Sequence, residues 1–258
     1  MVLIDPRAIV HPDAKIADDV WVGPFAVIEE NVEIGSGSKI YAHTIIKGPT
    51  IIGKNNKIFQ FASVGEDCQD LKYAGEATWL KIGDNNTIRE GCTIHRGTVQ
   101  DNGETVIGNN NLLMAYVHVA HDCIIGNHCI LSNNAALAGH VKLGDSVLLG
   151  GFAVVHQFCQ IGSYSMMRGM SALFMDLPAY VMASGSPAKA SGMNFEGMRR
   201  QGWSSEKINL LRKAYKTVYR SGLMVSDALL ILNKMAKDSS EIKLFAESIK
   251  NSKRGIIR

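Results

Sequence analysis

Val119 to Ile161 is the stretch with the residues best suited to chemistry. It contains V-A-H-D-C, A-G-H and V-V-H-Q-F, and so brings His121, Asp122, His140, His156 and Gln157 into one short segment. Imidazole is the side chain that gains and loses a proton near neutral pH, which suits general acid–base work. Asp122 beside His121 is placed to fix its tautomer. Three readings of these histidines are open. They are solvated surface groups, or His118, His121 and His140 are metal ligands, or His121 is a general base. Which of them holds depends on how the intervening residues place the histidines relative to one another.

Those intervening residues keep a six-residue beat. It starts at Ile4 and runs through Val10, Ile16, Val22 and on to Val64, resumes at Ile82, Ile88 and Ile94, and continues one residue out of phase from Ile107 to Leu173. All 26 beat positions are Ile, Val, Leu or Met. A helix needs period 3.6 and an ordinary strand period 2, so neither accounts for the pattern. Short-period self-similarity marks a solenoid, and hexapeptides mark a parallel β-helix. The residue after the beat is Gly at ten positions, among them 23, 53, 83, 126 and 144, often followed by Asn or Asp. We read these glycines as positive-φ corners. Each hexapeptide is then a strand plus a corner, and resemblance to the hexapeptide β-helix family implies that three of them close one triangular coil. Coils stack about 4.8 Å apart, so the solenoid is expected to be roughly 40 Å long.

The beat breaks twice. Residues 65–81 lose it and return in phase, as an external loop allows, and Asp70, Lys72 and Tyr73 are crowded into this break. Residues 97–104 insert more than two hexapeptides' worth and shift the phase. Loops leaving a rigid solenoid are usually functional or connecting. After Leu173 the text becomes helical. Ser204/Ser205 caps a helix ending at Gly222, Ser226 starts a second, and a third covers about 239–251. The predicted organisation is mainly β: a β-helix over residues 1–189 with loops at 65–81 and 97–104, and a small helical domain over residues 190–258 that covers its open end.

Composition limits the function classes. The chain has 258 residues, 46% of them hydrophobic, and a net charge of +3 that hides an asymmetry. Residues 1–178 hold 12 Lys and Arg against 18 Asp and Glu, whereas residues 179–258 hold 15 against 6. A basic C-terminal segment points to an anionic partner or substrate, or to a solvated helical surface. There is no 18-residue apolar run and no charged-then-apolar start, so neither a membrane span nor secretion is expected. The five cysteines lack metal spacing. Cys92, Cys123, Cys129 and Cys159 each follow a beat residue by four and read as small buried hydrophobes in a reducing, cytosolic compartment.

With three hexapeptides per coil, His121, Gly139 and Gln157 form one column and Asp122, His140 and Phe158 the next. His121, His140, His156 and Gln157 then share a face or corner within about 10 Å of height, facing outward from the beat-filled core. The Gly139 N–H is left uncovered by any side chain. A base beside an open amide suits acyl transfer, in which one removes a hydroxyl proton and the other stabilises an oxyanion.

The motifs I-F-Q-F-A-S-V-G-E, Q-D-L-K-Y-A-G-E, I-H-R-G-T, H-V-A-H-D-C, N-N-A-A-L-A-G-H-V, V-H-Q-F and N-F-E-G-M-R-R resemble the UDP-N-acetylglucosamine O-acyltransferase family over nearly the whole chain. The resemblance implies a left-handed β-helix, an exception to the right-handed crossover rule. It also implies a homotrimer with active sites between neighbouring prisms. The implied reaction moves a 3-hydroxyacyl group from acyl carrier protein to the 3-hydroxyl of UDP-N-acetylglucosamine, the first step of lipid A synthesis. No cofactor, metal or nucleic acid is implied. By position, His121 matches the general base, Asp122 its partner and Gly139 the oxyanion amide. Gln69, Asp70, Lys72, His118, His140 and Gln157 match sugar- and phosphate-side contacts, with His156 close by. Asn194, Glu196 and Arg200 match tail residues that reach a neighbour's nucleotide, and Gly169, stacked on Gly151, matches the position that limits acyl length. Gln201 departs from the second basic residue usual there. A sugar O-acetyltransferase using acetyl-CoA, the later N-acyltransferase of the same pathway and a non-catalytic solenoid are the alternatives. An N-terminal beat at Ile4 argues against the N-acyltransferase, which carries an extra N-terminal domain. γ-Class carbonic anhydrases place zinc on a related fold but lack the loop and helical tail.

Overall fold

The computed structural model describes residues 3–258. Short strands such as Lys57–Ile58, Thr87–Ile88 and His118–Val119 alternate with tight corners. Among the described residues the strands fall into sheets of nine, eight and ten, and each successive hexapeptide moves to the next sheet. A three-faced prism results. In the regular coils each strand residue faces the one three hexapeptides later, with Val119 opposite Leu137 and Leu137 opposite Val155. Beat residues fill the axis: Ile40, Ile58, Ile88, Leu131 and Leu149 are fully buried. Ile4, in the first coil, is 37% exposed, with no coil among the described residues to cover it. The residue four after the beat points inward as well, as expected. Burial pushes the thiols of Cys92 and Cys123 up to about 12 and those of Cys129 and Cys159 up to about 11.

The glycines after the beat do not serve positive-φ corners. Of those ten, Gly65 alone has positive φ. The left-handed position comes two residues later and is filled by Asn55, Asn85, Asn110, Asp122, His140, Phe158 and Tyr164, among others. All of these except Asp122 give their N–H to the coil before, as in His140 N to His121 O at 3.0 Å and Phe158 N to Gly139 O at 3.0 Å. That bond offsets a left-handed cost of about 1–2 kcal/mol. The beat-following glycines answer to space. A Cβ on Gly126 would lie 2.8 Å from the Gly144 carbonyl carbon, and one on Gly53 2.7 Å from Gly83 O.

Both breaks in the beat leave at one corner, where the chain passes from the nine- to the eight-stranded sheet. The first is bounded by strands Ser63–Glu66 and Trp79–Ile82, so its irregular part is shorter than predicted. The second is also smaller than predicted. Ile94 and Ile107 lie on consecutive faces, so the chain uses just over two hexapeptides' length where one would do. The insertion itself is therefore little more than one hexapeptide.

After the last coil, Val181–Ser184 pairs antiparallel with Lys189–Met193, a strand that crosses the expected boundary at 189/190. Four helices follow: α1 (Phe195–Arg200), α2 (Ser205–Tyr219), α3 (Val225–Met235) and α4 (Ser240–Lys250). Ser204 caps α2 as predicted, by accepting from Lys207 N, and Ser239 caps α4 by accepting from Ile242 N. α1 is additional, and α3 starts at Val225 behind Met224 instead of at Ser226. Leu211, Leu232 and Phe245 join the buried cluster that continues into the coils. No helix among the described residues is long and apolar enough to cross a membrane.

Space and φ separate experimentally. Gly126→Ala is expected to cost about 1–3 kcal/mol through overpacking. Ser146→Gly, at φ 57°, is expected to be neutral or to stabilise by up to about 1 kcal/mol. Thermal unfolding of the two variants measures both, and equal effects would contradict this division of roles.

Candidate active site

The predicted columns form at the corner from which both loops leave. The imidazole of His121 lies directly against the Gly139 α-carbon, and a Cβ there would be 2.6 Å from His121 Nε2. Glycine at 139 is thus the residue that seats the ring. The Gly139 N–H donates to no protein group among the described residues. The rings of His121 and His140 meet edge to face at 5.0 Å, and His140 stacks on Phe158 at 4.3 Å.

Asp122 is 2% exposed, roofed by the second loop. Its Oδ1 accepts Thr98 N at 2.9 Å, and its Oδ2 accepts Thr98 Oγ1 at 2.6 Å and faces His121 Nδ1 at 2.8 Å. Burial alone would raise this carboxyl's pKa. The bonds from His121 and Thr98, with the charge of His140 nearby, outweigh it and hold the carboxyl below the usual carboxylate range. An ionised Asp122 takes the Nδ1–H of His121, so the Nε2 lone pair remains free to accept a proton. His140 Nδ1 is held at 2.9 Å by Asp101 Oδ2, also from the second loop.

The first loop is tied down by Arg96, which is nearly buried. Its guanidinium donates to Gly65 O, to Asp67 and, at 3.1 Å, to Tyr73 Oη. The loop closes a cleft of about 520 Å³ lined by Asp70, Lys72, Gln100, Asp101, His121, His140, Lys142, Gln157, Phe158, Gln160, Lys253 and Arg254.

Five predicted site residues therefore line one cleft: Asp70, Lys72, His121, His140 and Gln157. Asp122 and Gly139 sit just behind His121. Gln69 is exposed in the first loop and does not line the cleft. His156 turns away against Phe174 at 5.7 Å. His118 lies on the outer face of the nine-stranded sheet, with Nδ1 2.8 Å from Thr93 Oγ1, and burial lowers its pKa. Gly151 and Gly169 do stack, with a Cβ on Gly169 meeting Gly151 O at 3.1 Å, but at the preceding corner. Asn194 donates to Tyr164 O at 3.1 Å and caps α1, on which Glu196 pairs with Arg200. These three belong to the third corner.

Of the three histidines read as metal ligands, His121 and His140 come within metal-binding reach of each other and of Asp122, without His118. Nδ1 of both imidazoles is already engaged, His121 with Asp122 at 2.8 Å and His140 with Asp101 at 2.9 Å. Thr98, Asp101, Lys142, Lys253 and Arg254 were not singled out from sequence. The first two sit in the phase-shifting insertion, where counting by whole coils does not reach.

Removing the Thr98 hydroxyl tests the carboxyl's role. Because the folded-state pKa of Asp122 is depressed, its contribution to stability is present above the unfolded carboxyl pKa and is lost as pH falls through the folded value. Thr98→Val is expected to cost about 1.5–3 kcal/mol at neutral pH, with the difference from wild type shrinking in acid. A pH-independent difference in denaturant unfolding would contradict this.

Comparison with known proteins agrees with this architecture. Residues 13–48 and 104–139 match the family described as bacterial transferase hexapeptide, and residues 176–257 match UDP-N-acetylglucosamine O-acyltransferase, domain 2. An acyl-[acyl-carrier-protein]–UDP-N-acetylglucosamine O-acyltransferase of Stutzerimonas stutzeri is 57% identical over the full length of both chains. The UDP-N-acetylglucosamine O-acyltransferase structure from Moraxella catarrhalis is 52% identical and superposes with a TM-score of 0.97, over 99% of this chain and 100% of that one. The corresponding Francisella novicida acyltransferase is 42% identical with the same score, over 99% and 94%. The prism is accordingly a left-handed β-helix. With its full-length relatives, its helical tail and its histidine cleft, the chain belongs to the UDP-N-acetylglucosamine O-acyltransferase family.

Proposed function

We propose that this protein transfers a 3-hydroxyacyl group from acyl carrier protein to the 3-hydroxyl of UDP-N-acetylglucosamine, with His121 as general base. One observation carries the reading: His121 is fixed through Nδ1 by a buried carboxylate while its ring rests on Gly139, whose N–H has no protein partner. Nε2 removes the hydroxyl proton as the sugar oxygen attacks the thioester carbonyl. The Gly139 N–H receives the oxyanion. Collapse breaks the C–S bond, and the imidazolium returns its proton to the departing thiol. The protein's part in this is positioning, base and amide, with no cofactor. Asp70, Lys72, His140 and Gln157 hold the sugar nucleotide beside His121. Gln69 and His118 match sugar- and phosphate-side contacts in the family, with His156 close by, but none of the three lines the cleft.

The acyl chain runs across the nine-stranded face toward the Gly151–Gly169 corner. The outward row there changes from Thr93 and His118 to Ala136, Val154 and Ala172. Gly169 is not needed for a corner conformation, because the positive-φ residue there is Met170. Its missing side chain leaves the groove open, which suits a long chain. Each methylene buried along it is worth about 0.8 kcal/mol.

A homotrimer brings Asn194, Glu196 and Arg200, on the third corner, to a neighbour's nucleotide. Exposed Phe25, Phe61, Tyr116 and Phe152 run down the glycine corner as an apolar stripe suited to such contact. The excess of Lys and Arg in residues 179–258 suits docking of an acidic carrier in the cytoplasm. Residues 190–258 act as the cap of the last coil.

The test is an acyl-transfer assay with UDP-N-acetylglucosamine and 3-hydroxyacyl carrier proteins of graded length. The wild type is expected to favour long donors and to scatter light as a trimer. His121→Ala is expected to keep the fold and lose roughly 10²–10⁴-fold in rate. Near-wild-type turnover by the variant would remove His121 from the mechanism.

A further inference from the structure

We propose that Lys142, Lys253 and Arg254 form an anion subsite at the far end of the cleft, which takes a phosphate ester of one of the two substrates. The proposal rests on the acyl-transfer reading above. Its starting point is Asp176, a carboxylate only 2% exposed. Asp176 Oδ1 accepts Gln160 N at 2.7 Å, and Oδ2 accepts Ser252 Oγ at 2.7 Å, Lys253 N at 3.0 Å and Arg254 N at 3.2 Å. A buried charge is tolerated only when fully hydrogen-bonded. Here the bonds it makes fasten the segment beyond α4 to the last coil. The fastening continues through Asp176 N to Gly255 O at 2.8 Å and Ile257 N to Asp176 O at 3.0 Å, with Ile256 and Ile257 buried.

This strap delivers two cations to the cleft wall beside Lys142. Among the described residues none of the three makes a salt bridge, and Arg254 Nε donates to Phe174 O at 3.2 Å, which orients its guanidinium. Lys72 reaches the same cleft from the first loop, on the other side of His121 along the prism. The base therefore lies between the Lys142–Lys253–Arg254 end and an end where Lys72 stands beside Asp70. The reaction brings two phosphate-bearing molecules to it: a sugar with a diphosphate, and a thioester whose carrier arm is a phosphodiester. Two anions are thus joined to the two reacting groups, and the Lys142–Lys253–Arg254 end takes one of them.

The experiment compares KM values of wild type, Arg254→Gln, Lys142→Gln and Arg254→Lys. Three molecules are varied: UDP-N-acetylglucosamine, 3-hydroxyacyl phosphopantetheine, and the same thioester on unphosphorylated pantetheine. Each Gln variant is expected to raise one KM by roughly 3- to 30-fold, as for a partly exposed charge-assisted contact, with Arg254→Lys recovering most of it. A rise for the phosphorylated donor but not for pantetheine assigns the carrier arm. A rise for the nucleotide alone assigns the diphosphate. Transfer by the wild type with all KM values unchanged in both Gln variants overturns the subsite. No transfer by the wild type overturns the acyl-transfer reading, and the subsite with it.

Discussion

The structure depends on the parallel hydrogen-bond ladder that keeps successive coils in register. Each bond is modest, worth about 1 kcal/mol, but the ladder repeats on three faces and cannot slip by one residue. A slip would turn every beat residue out of the axis and every polar residue into it. Register therefore has the cooperative strength of the whole core behind it, and it is register that places one residue above another. His121 lies against Gly139 because the two are one coil apart, and the ring fits because position 139 has no Cβ.

A solenoid has no interior cavity, because its axis is filled. The chemistry has to be built on the outside, where water competes for every hydrogen bond. The two insertions solve this locally. Leaving at one corner, they roof a patch of prism surface, and under that roof Asp122 becomes a buried carboxylate although it occupies an exterior corner. Removal from water alone would favour the protonated carboxyl, but it also strengthens the bonds from His121 and Thr98, and these outweigh it and keep Asp122 ionised. The first loop is itself held by Arg96, nearly buried behind it. Corner, roof and buried anchor together convert a flat face into a cleft.

This division explains what was legible in the sequence. Much of what the beat sets could be read: the three faces, the buried cysteines, the His121–Gly139–Gln157 column and the common corner of His121 and His140, although His156 turns away from it. Residues outside the beat could not be placed by counting. Thr98 and Asp101 are 24 and 39 residues from their partners Asp122 and His140, and neither spacing is a whole number of coils. Arg254 is 78 residues from Asp176, in a segment with no repeat at all. The corner glycines were misread for a different reason. Gly relieves both backbone strain and steric crowding, and sequence does not distinguish the two. Only the structure shows the left-handed residue two positions later, often an Asn, His or aromatic whose N–H is committed to the coil before it.

The central claim is that register seats His121 on Gly139 so that base and amide act at one carbonyl. The most direct measurement is a double-mutant cycle on turnover with Gly139→Ala, His121→Ala and the pair. A Cβ at 139 would have to displace the His121 ring, with Nε2 only 2.6 Å away. The account predicts that Gly139→Ala folds with little change in Tm, loses nearly as much turnover as His121→Ala, and that the pair loses no more than either alone. Near-wild-type turnover in Gly139→Ala, or losses that simply add, would contradict it.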